Sequence, residues 1–265
     1  MKANYHTHTT FCDGKNTPEE TVLSAIGKNM AAIGFSGHAY APYCTYGMKD
    51  TAGYIKEVLR LRELYGDKIQ IYLGIEEDSR APSNRADFDY IIGSSHYFYK
   101  DGSYYPIDSS YDCFKKCIDV WGGDVLSLVE DYYGHFCSYI IKRKPDIIGH
   151  FDLITKFDEL EVSLLLKNQE YNRIAEKYTE IALLSGCIFE VNTGAIARGY
   201  RTSPYPYENL LYAIKKNGGK VMLSSDSHSK ETLDFAFDEA RSLLLDIGFR
   251  ESYVLYNGQF TALPL

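Results

Sequence analysis

Short segments of strand-like composition alternate along this chain with longer segments of helical periodicity, and this alternation constrains the fold most. We predict strands near residues 2–7, 32–36, 69–75, 89–94, 145–150, 187–192 and 220–225, with a weaker one near 252–256. We predict helices near residues 18–29, 51–65, 110–118, 124–143, 167–185, 206–217 and 231–246. Repeated strand–helix units favour parallel strands joined by crossover helices. We therefore expect one barrel-like α/β domain spanning residues 1–265, with insertions at 39–52 and 97–110.

Composition narrows the class of protein further. The length of 265 residues suits a single α/β barrel, and a 45% share of hydrophobic residues can fill its core. A net charge of −8 argues against binding of long nucleic acid through phosphate neutralisation. The six cysteines are scattered without a paired motif, and no apolar run has the length of a membrane span. We expect a cytoplasmic protein without membrane contact, acting as a monomer or homodimer.

Six of the seven histidines lie in short motifs at or just past the predicted ends of strands. They are His6, His8, His38, His96, His150 and His228. A hydrogen-bonded core histidine would be the simpler interpretation of any single one, but not of all six. Because the carboxyl ends of parallel strands in a barrel converge on one face, these imidazoles are expected to share one pocket. His135 lies outside these motifs and is interpreted as structural.

Three carboxylates accompany the histidines. Glu76 ends an apolar run, where a carboxylate is unexpected unless it is paired or bound to a metal ion. Its neighbour Glu77 should face the other side of the strand. Asp13 lies in the first loop beside a glycine, where an ordinary turn aspartate is the alternative interpretation. Asp226 is two residues from His228, so the two side chains can point to the same face.

The number of candidate ligands indicates more than one metal ion. Six imidazoles and three carboxylates exceed what one four-coordinate ion can use. A mixture of imidazole nitrogen and carboxylate oxygen suits Zn, Mn or Fe better than Mg or Ca. The sequence therefore predicts two or three divalent ions in one pocket.

The motifs, taken in order, resemble those of the PHP (polymerase and histidinol phosphatase) family, and within it the histidinol-phosphate phosphatases. They are His6-Thr7-His8, Asp13, Gly37-His38, Gly74-Ile75-Glu76-Glu77-Asp78, Gly93-Ser94-Ser95-His96, Gly149-His150-Phe151-Asp152 and Ser225-Asp226-Ser227-His228. The resemblance runs from residue 4 to about residue 230. It implies a distorted (β/α)7 barrel that holds a trinuclear centre of Mn, Fe or Zn.

The resemblance also implies which residues bind each ion. The first ion takes His6, His8, Glu76 and Asp226, the second takes Glu76, His96 and His150, and the third takes Asp13, His38 and His228. Glu76 would then bridge two ions. The implied reaction is hydrolysis of a phosphate monoester by a metal-bridging hydroxide, with L-histidinol phosphate of histidine biosynthesis as the expected substrate. Glu76, Asp226 and His228 would form the catalytic centre.

Two basic residues are candidates for binding the phosphate of a small phosphorylated substrate. Arg198 follows the strand near 187–192 through a glycine loop, and a guanidinium can donate two parallel hydrogen bonds to a phosphate. A surface arginine is the alternative interpretation. Lys156 is a second candidate, although a solvated lysine is the favoured interpretation there. Tyrosines are concentrated in the two insertions, where they could flank an imidazole or simply pack the loops.

Two other functions are compatible with the same ligands. PHP relatives include nucleases and nucleotide phosphatases, so a nucleotide phosphatase or small-oligonucleotide phosphoesterase is the enzymatic alternative. A non-catalytic metal-binding or regulatory module is the other, but such a protein would be expected to lack some of the nine ligand positions, and all nine are filled here.

Overall fold

A sheet of seven parallel strands forms the centre of the computed structural model, which describes residues 1–160 and 163–265. The strands, in chain order, are β1 (Ala3–Asn4), β2 (Ala32–Phe35), β3 (Gln70–Asp78), β4 (Tyr90–Ser94), β5 (Tyr97–Lys100), β6 (Ser103–Pro106), β7 (Ile147–Ile148), β8 (Ile188–Asn192), β9 (Lys220–Ser224), β10 (Glu251–Tyr256) and β11 (Gln259–Pro264). The central sheet has the order β1-β2-β3-β4-β7-β8-β9. Strands that are neighbours in this sheet also follow one another along the chain, as repeated right-handed crossover connections would produce.

The first and last strands of the central sheet meet at their carboxyl ends. The backbone N–H of His8 donates to the carbonyl of Ser227 at 2.8 Å, and the N–H of Ser227 donates to the carbonyl of His6 at 3.0 Å. Thr7 and Ser227 form a parallel bridge between them. The sheet is therefore a nearly closed barrel, and its closing contacts lie among the predicted metal ligands.

Helices follow the strands along the chain. They are α1 (Pro18–Gly27), α2 (Thr51–Tyr65), α3 (Tyr111–Val120), α4 (Val125–Arg143), α5 (Gln169–Leu183), α6 (Gly194–Ala197), α7 (Glu208–Lys216) and α8 (Phe237–Ile247). α1 begins at a capping box, in which Thr17 and Glu20 each accept a hydrogen bond from the other's backbone N–H. Within the described part of the chain, no helix combines the length and apolar surface needed to span a membrane.

The predicted α/β barrel is confirmed, although β5, β6, α6 and β11 are not among the predicted elements and two predicted elements differ from the prediction. The segment near 252–256 is a strand, but it pairs antiparallel with β11 outside the barrel. Its Leu255 carbonyl accepts a hydrogen bond from the Tyr5 hydroxyl at 2.6 Å, which ties this hairpin to β1. The predicted helix 231–246 is wrong over its first residues, because Ala236 has a left-handed backbone (φ 54°) and α8 begins only at Phe237.

Candidate metal centre

The carboxyl ends of the barrel strands bring all nine predicted ligands into one cluster. His6 and His8 follow β1, His38 follows β2, and Glu76 lies near the end of β3. The ligands after the later strands are His96 after β4, His150 after β7, and Asp226 and His228 after β9. Asp13 enters from the loop between β1 and α1. Glu76 is the central residue, because its two carboxylate oxygens face different sets of histidines. The convergence predicted from the sequence is therefore what the structure shows.

The first group of atoms surrounds one oxygen of Glu76. His6 Nε2 lies 3.3 Å and His8 Nε2 lies 3.5 Å from Glu76 Oε2. The same two nitrogens lie 3.6 Å and 3.1 Å from Asp226 Oδ1. Ligand atoms about 2.1 Å from a tetrahedral ion lie roughly 3.4 Å from one another. The four nitrogen–oxygen distances therefore fit ligands that share one ion, with His6, His8 and Asp226 as the core of the group.

A second group surrounds the other oxygen of Glu76. His96 Nε2 lies 3.3 Å and His150 Nε2 lies 3.1 Å from Glu76 Oε1. His38 Nδ1, in contrast, is 2.8 Å from Oε2. The carboxylate of Glu76 is therefore placed to share its two oxygens between two adjacent ions.

A third group forms around Asp13, nearer to solvent. Asp13 Oδ1 lies 3.4 Å from His228 Nε2 and 3.8 Å from His38 Nε2. His8 Nδ1 is also 3.6 Å from this oxygen, so the His8 ring lies between the first and third groups. Asp13 is 35% exposed at its side chain, whereas Glu76 is fully buried. This group is the most accessible of the three.

Buried polar atoms without hydrogen-bond partners support occupancy by cations. They include His6 Nε2, His8 Nε2 and Glu76 Oε2. Such atoms are costly in a folded protein unless water, an ion or a ligand satisfies them. These three point toward one another in the first group, so the donor set and its unsatisfied atoms both fit a divalent metal.

The charges around the imidazoles influence which of them are neutral. Burial, together with His228 and His38, lowers the pKa of His8 to about 3, and neutral imidazole is the form that binds metals. Burial disfavours a charged His6 as well, but Glu190 and Glu76 overcome this effect and raise the pKa of His6. Protons and divalent ions would therefore compete for His6.

Arg198 contacts the ligands themselves. Its guanidinium donates to the Asp226 carboxylate at 2.8 Å and to the Asp226 carbonyl at 2.9 Å, and it lies 3.2 Å from His228 Nδ1. Burial disfavours its charge, yet Asp226 raises the pKa of Arg198. Arg198 is 32% exposed at its side chain and lines the pocket above the ligands. The predicted position on the metal face is therefore observed, whereas the contact with Asp226 was not predicted.

Lys156 lies in the same pocket, and the favoured interpretation of a solvated lysine is wrong. Its side chain is only 13% exposed. Its ammonium donates to the Asp108 carbonyl at 2.6 Å and to Asp108 Oδ2 at 3.2 Å, and lies 4.8 Å from the Tyr200 ring centre. The pocket, of about 280 Å³, is also lined by Tyr46 and Leu153.

Sequence reasoning did not identify Asp108 or Glu190 as site residues. Asp108 follows the β5–β6 hairpin in the second insertion, and only the fold brings its carboxylate to the pocket. Glu190 lies within β8 and accepts a hydrogen bond from His6 Nδ1 at 2.8 Å. Its position in a buried strand is the same signal that singled out Glu76, and it could have identified Glu190 too.

Other predicted features have structural roles. His135 lies on α4, with its Nε2 3.1 Å from Ser79 Oγ. Among the insertion tyrosines, Tyr43 stacks on Tyr104 with ring centres 3.8 Å apart, while Tyr46 reaches the pocket and packs against His38 at 4.6 Å. Loop packing therefore accounts for most of these rings, and Tyr46 alone of these three lines the pocket.

Several known proteins resemble this chain in sequence. The family model of the PHP domain matches residues 4–194. The chain belongs to the PHP family. A Schizosaccharomyces pombe protein named "Probable histidinol-phosphatase" is 29% identical over 215 residues, which are 77% of this chain and 69% of that protein. A Lactococcus lactis histidinol-phosphatase is 26% identical over 262 residues, 94% of this chain and 93% of that protein.

A solved structure shares the fold of this PHP chain. It is the Lactococcus lactis histidinol phosphate phosphatase complexed with zinc, L-histidinol and phosphate. It superposes with a TM-score of 0.71 at 19% sequence identity and covers 98% of each chain. At this identity the likeness establishes a common fold, in agreement with the nearly closed barrel.

Proposed function

We propose that this PHP chain is a metal-dependent phosphate monoester hydrolase that converts L-histidinol phosphate and water to L-histidinol and phosphate. The observation that carries the proposal is the pocket itself, in which nine candidate ligands lie beside two cationic side chains. The names of the sequence relatives and the ligands of the Lactococcus lactis structure support the substrate. We further propose that residues 1–265 form one catalytic domain acting as a cytoplasmic monomer or homodimer.

We assign the ligands as three sets that share Glu76. The first is His6, His8, Glu76 and Asp226, the second is Glu76, His96 and His150, and the third is Asp13, His38 and His228. The distances within each set support this assignment. Divalent ions held there would lower the pKa of bound water and neutralise the phosphoryl oxygens.

The residues above the ligands would hold the substrate. Arg198 keeps one guanidinium edge on Asp226, and its position on the pocket wall allows its remaining donors to bind a phosphoryl oxygen. Lys156 adds a second positive charge across the same pocket, fixed in place by Asp108. The two cations would bind the dianionic phosphate from different sides.

Asp108 gives the pocket a carboxylate outside the ligand sets. Although burial disfavours its charge, Lys156 lowers the pKa of Asp108, so the group is ionised at neutral pH. We propose that it favours the ammonium group of histidinol and disfavours a substrate with additional negative charge. Tyr46 and Tyr200 would flank the imidazole ring.

The direct test is phosphate release from L-histidinol phosphate, p-nitrophenyl phosphate and a nucleoside monophosphate, with protein whose bound metals have been counted. We expect a strong preference for L-histidinol phosphate and two or three ions per chain. Arg198→Ala should mainly raise KM, by about 10- to 100-fold for loss of charge-assisted hydrogen bonds. A preference for the nucleotide would support the nucleotide phosphatase instead, and a metal-replete but inert protein would support a regulatory module.

A further inference from the structure

Glu190 is a buried carboxylate whose hydrogen bonds connect two different ligand groups. It lies on β8 and is 1% exposed. Its Oε2 accepts from His6 Nδ1 at 2.8 Å and from Ser224 Oγ at 2.6 Å. Its Oε1 accepts from the backbone N–H of His150 at 2.5 Å and from Asn192 Nδ2 at 2.8 Å. Both oxygens are therefore fully used by fixed donors.

These bonds determine how His6 can act as a ligand. An imidazole that donates through Nδ1–H carries its lone pair on Nε2. His6 Nε2 is buried without a hydrogen-bond partner and lies 3.3 Å from Glu76 Oε2. The contact with Glu190 thus leaves the nitrogen that faces the first group free to bind a cation.

The second oxygen acts on His150. Its bond to the His150 backbone N–H fixes the chain just after β7, where this ring turns toward Glu76. His150 Nε2 then lies 3.1 Å from Glu76 Oε1. One carboxylate on β8 therefore positions a ligand of the first group and a ligand of the second, on opposite oxygens of Glu76.

We propose that Glu190 is a positioning residue that selects the metal-binding tautomer of His6 and fixes the position of His150, so that one ion can bind at each carboxylate oxygen of Glu76. The inference rests on the ligand assignment of the proposed function. Partners of this kind, which bind the far nitrogen of a ligand imidazole, contribute about 10- to 100-fold to metal affinity or activity.

Glu190→Gln tests the proposal without changing the volume of the side chain. If the amide nitrogen faces His6, two N–H donors meet, and His6 must move its proton to Nε2, the nitrogen that faces the ion. If the amide is reversed, it faces the His150 N–H and Asn192 Nδ2 instead. Asn192 cannot rotate freely in response, because its Oδ1 accepts from the Gly194 N–H at 2.8 Å. Either orientation disturbs one ligand.

The experiment is a zinc titration of metal-stripped protein in competition with a chelator, together with the metal content and the thermal midpoint at saturating zinc. We expect Glu190→Gln to bind zinc about 10- to 100-fold more weakly than the wild type and to recover activity as zinc is raised. The thermal midpoint at saturating zinc should stay near that of the wild type.

Asp158→Asn is the matched control. Asp158 is a buried carboxylate that also accepts four hydrogen bonds, from Ser163 Oγ and the backbone N–H groups of residues 164–166. It should lose stability without losing zinc affinity. Unchanged zinc affinity in Glu190→Gln would overturn the proposal. A loss of zinc affinity accompanied by a loss of stability as large as that of the control would overturn it too.

A second variant covers the case in which Glu190→Gln does not fold. Glu190→Asp keeps the charge and both acceptor oxygens. Its side chain is shorter by one methylene, so the oxygens move away from their donors. Weakened zinc binding with a thermal midpoint near that of the wild type would support the proposal, and unchanged binding would overturn it. Because zinc affinity is measured without substrate, a failure of the wild type to hydrolyse L-histidinol phosphate would refute the substrate and leave this test intact.

Discussion

The two sides of β3 carry the same kinds of polar residue and use them in opposite ways. Glu76 and Asp78 point into the barrel, where their carboxylates face imidazoles of the candidate metal centre. Glu77, and Ser79 just past the end of the strand, point outward and contact α4. Alternation along a strand is what separates them, since successive side chains face opposite sides of a sheet.

The contrast lies in how fully each carboxylate is satisfied by the protein. Glu77 Oε1 accepts from the Tyr139 hydroxyl at 2.6 Å and from Arg143 Nε at 2.7 Å, while Oε2 accepts from the Ser83 N–H at 2.7 Å. Glu76, equally buried, lies among five histidine rings, and its Oε2 has no hydrogen-bond partner. Glu77, which helix and loop donors satisfy away from the histidines, has a structural role, whereas Glu76, left unsatisfied beside imidazoles, is suited to a cation.

Glu76→Gln should have the largest effect, because it removes a negative charge shared by two ligand groups. We expect phosphatase kcat/KM to fall by on the order of 10³-fold or more, together with loss of bound metal. Elemental analysis and phosphate release on the same sample measure both. A variant that keeps its full metal content and activity would show that the inward side of β3 does not hold the ions.

Glu77→Gln is the matched substitution on the outward side. It leaves Arg143, which is 23% exposed, without its charged partner, so the free energy of unfolding should fall by about 2 kcal/mol. Metal content and KM should stay near the wild-type values, because the side chain faces α4. Chemical denaturation measures the free energy of unfolding, and elemental analysis measures the metal content. Metal loss at unchanged stability would remove the distinction between the two glutamates.

The sequence predicts this distinction only in part. A carboxylate at the end of an apolar run, next to a second one, is enough to expect opposite directions for Glu76 and Glu77. The alternation of strands and helices is enough to place the histidine motifs on one face. Neither pattern identifies Arg143 as the partner of Glu77, because that contact depends on how α4 packs on the sheet.

The same limit explains why the sequence does not identify Asp108 or the contact between Arg198 and Asp226. Asp108 reaches the pocket through the β5–β6 hairpin, and its partner Lys156 lies 48 residues further along the chain. Arg198 meets Asp226 across adjacent strand ends. Such contacts depend on the rotamers and loop paths that tertiary packing selects, whereas spacing along one strand depends on local geometry alone.

Asp78→Asn tests the inward side one step away from the ligands. Asp78 Oδ2 accepts from the His96 backbone N–H at 2.8 Å, and Oδ1 accepts from the Tyr43 hydroxyl at 2.9 Å. Oδ1 also accepts from the Arg80 N–H at 3.0 Å, so an asparagine must turn its amide toward a backbone donor on either side. Where the amide faces the His96 N–H, it should shift His96 and weaken metal binding by about 10-fold. Zinc competition measures this change. An effect as large as that of Glu76→Gln would mean that Asp78 is itself a ligand.

His135→Gln should have the smallest effect, and only on the outward side. Burial, assisted by the charge of Arg80, lowers the pKa of His135 from its ordinary value of 6.5 to about 4. Between these two pH values the unfolded chain binds a proton that the folded chain does not, so His135 makes the free energy of unfolding decrease as pH falls from 6.5 to 4. The substitution removes this contribution and should flatten the dependence of stability on pH.

Urea unfolding of the wild type and His135→Gln at pH values across this window gives the difference in slope, in which any contribution of the ligand histidines common to both proteins cancels. Ser79→Ala is the control, because it deletes the hydroxyl 3.1 Å from His135 Nε2 and leaves the imidazole in place. It should keep most of the slope. An identical slope of the free energy of unfolding against pH in His135→Gln and the wild type would show that this imidazole does not titrate as its burial requires. The outward side of β3 would then add no pH dependence to the stability of the barrel.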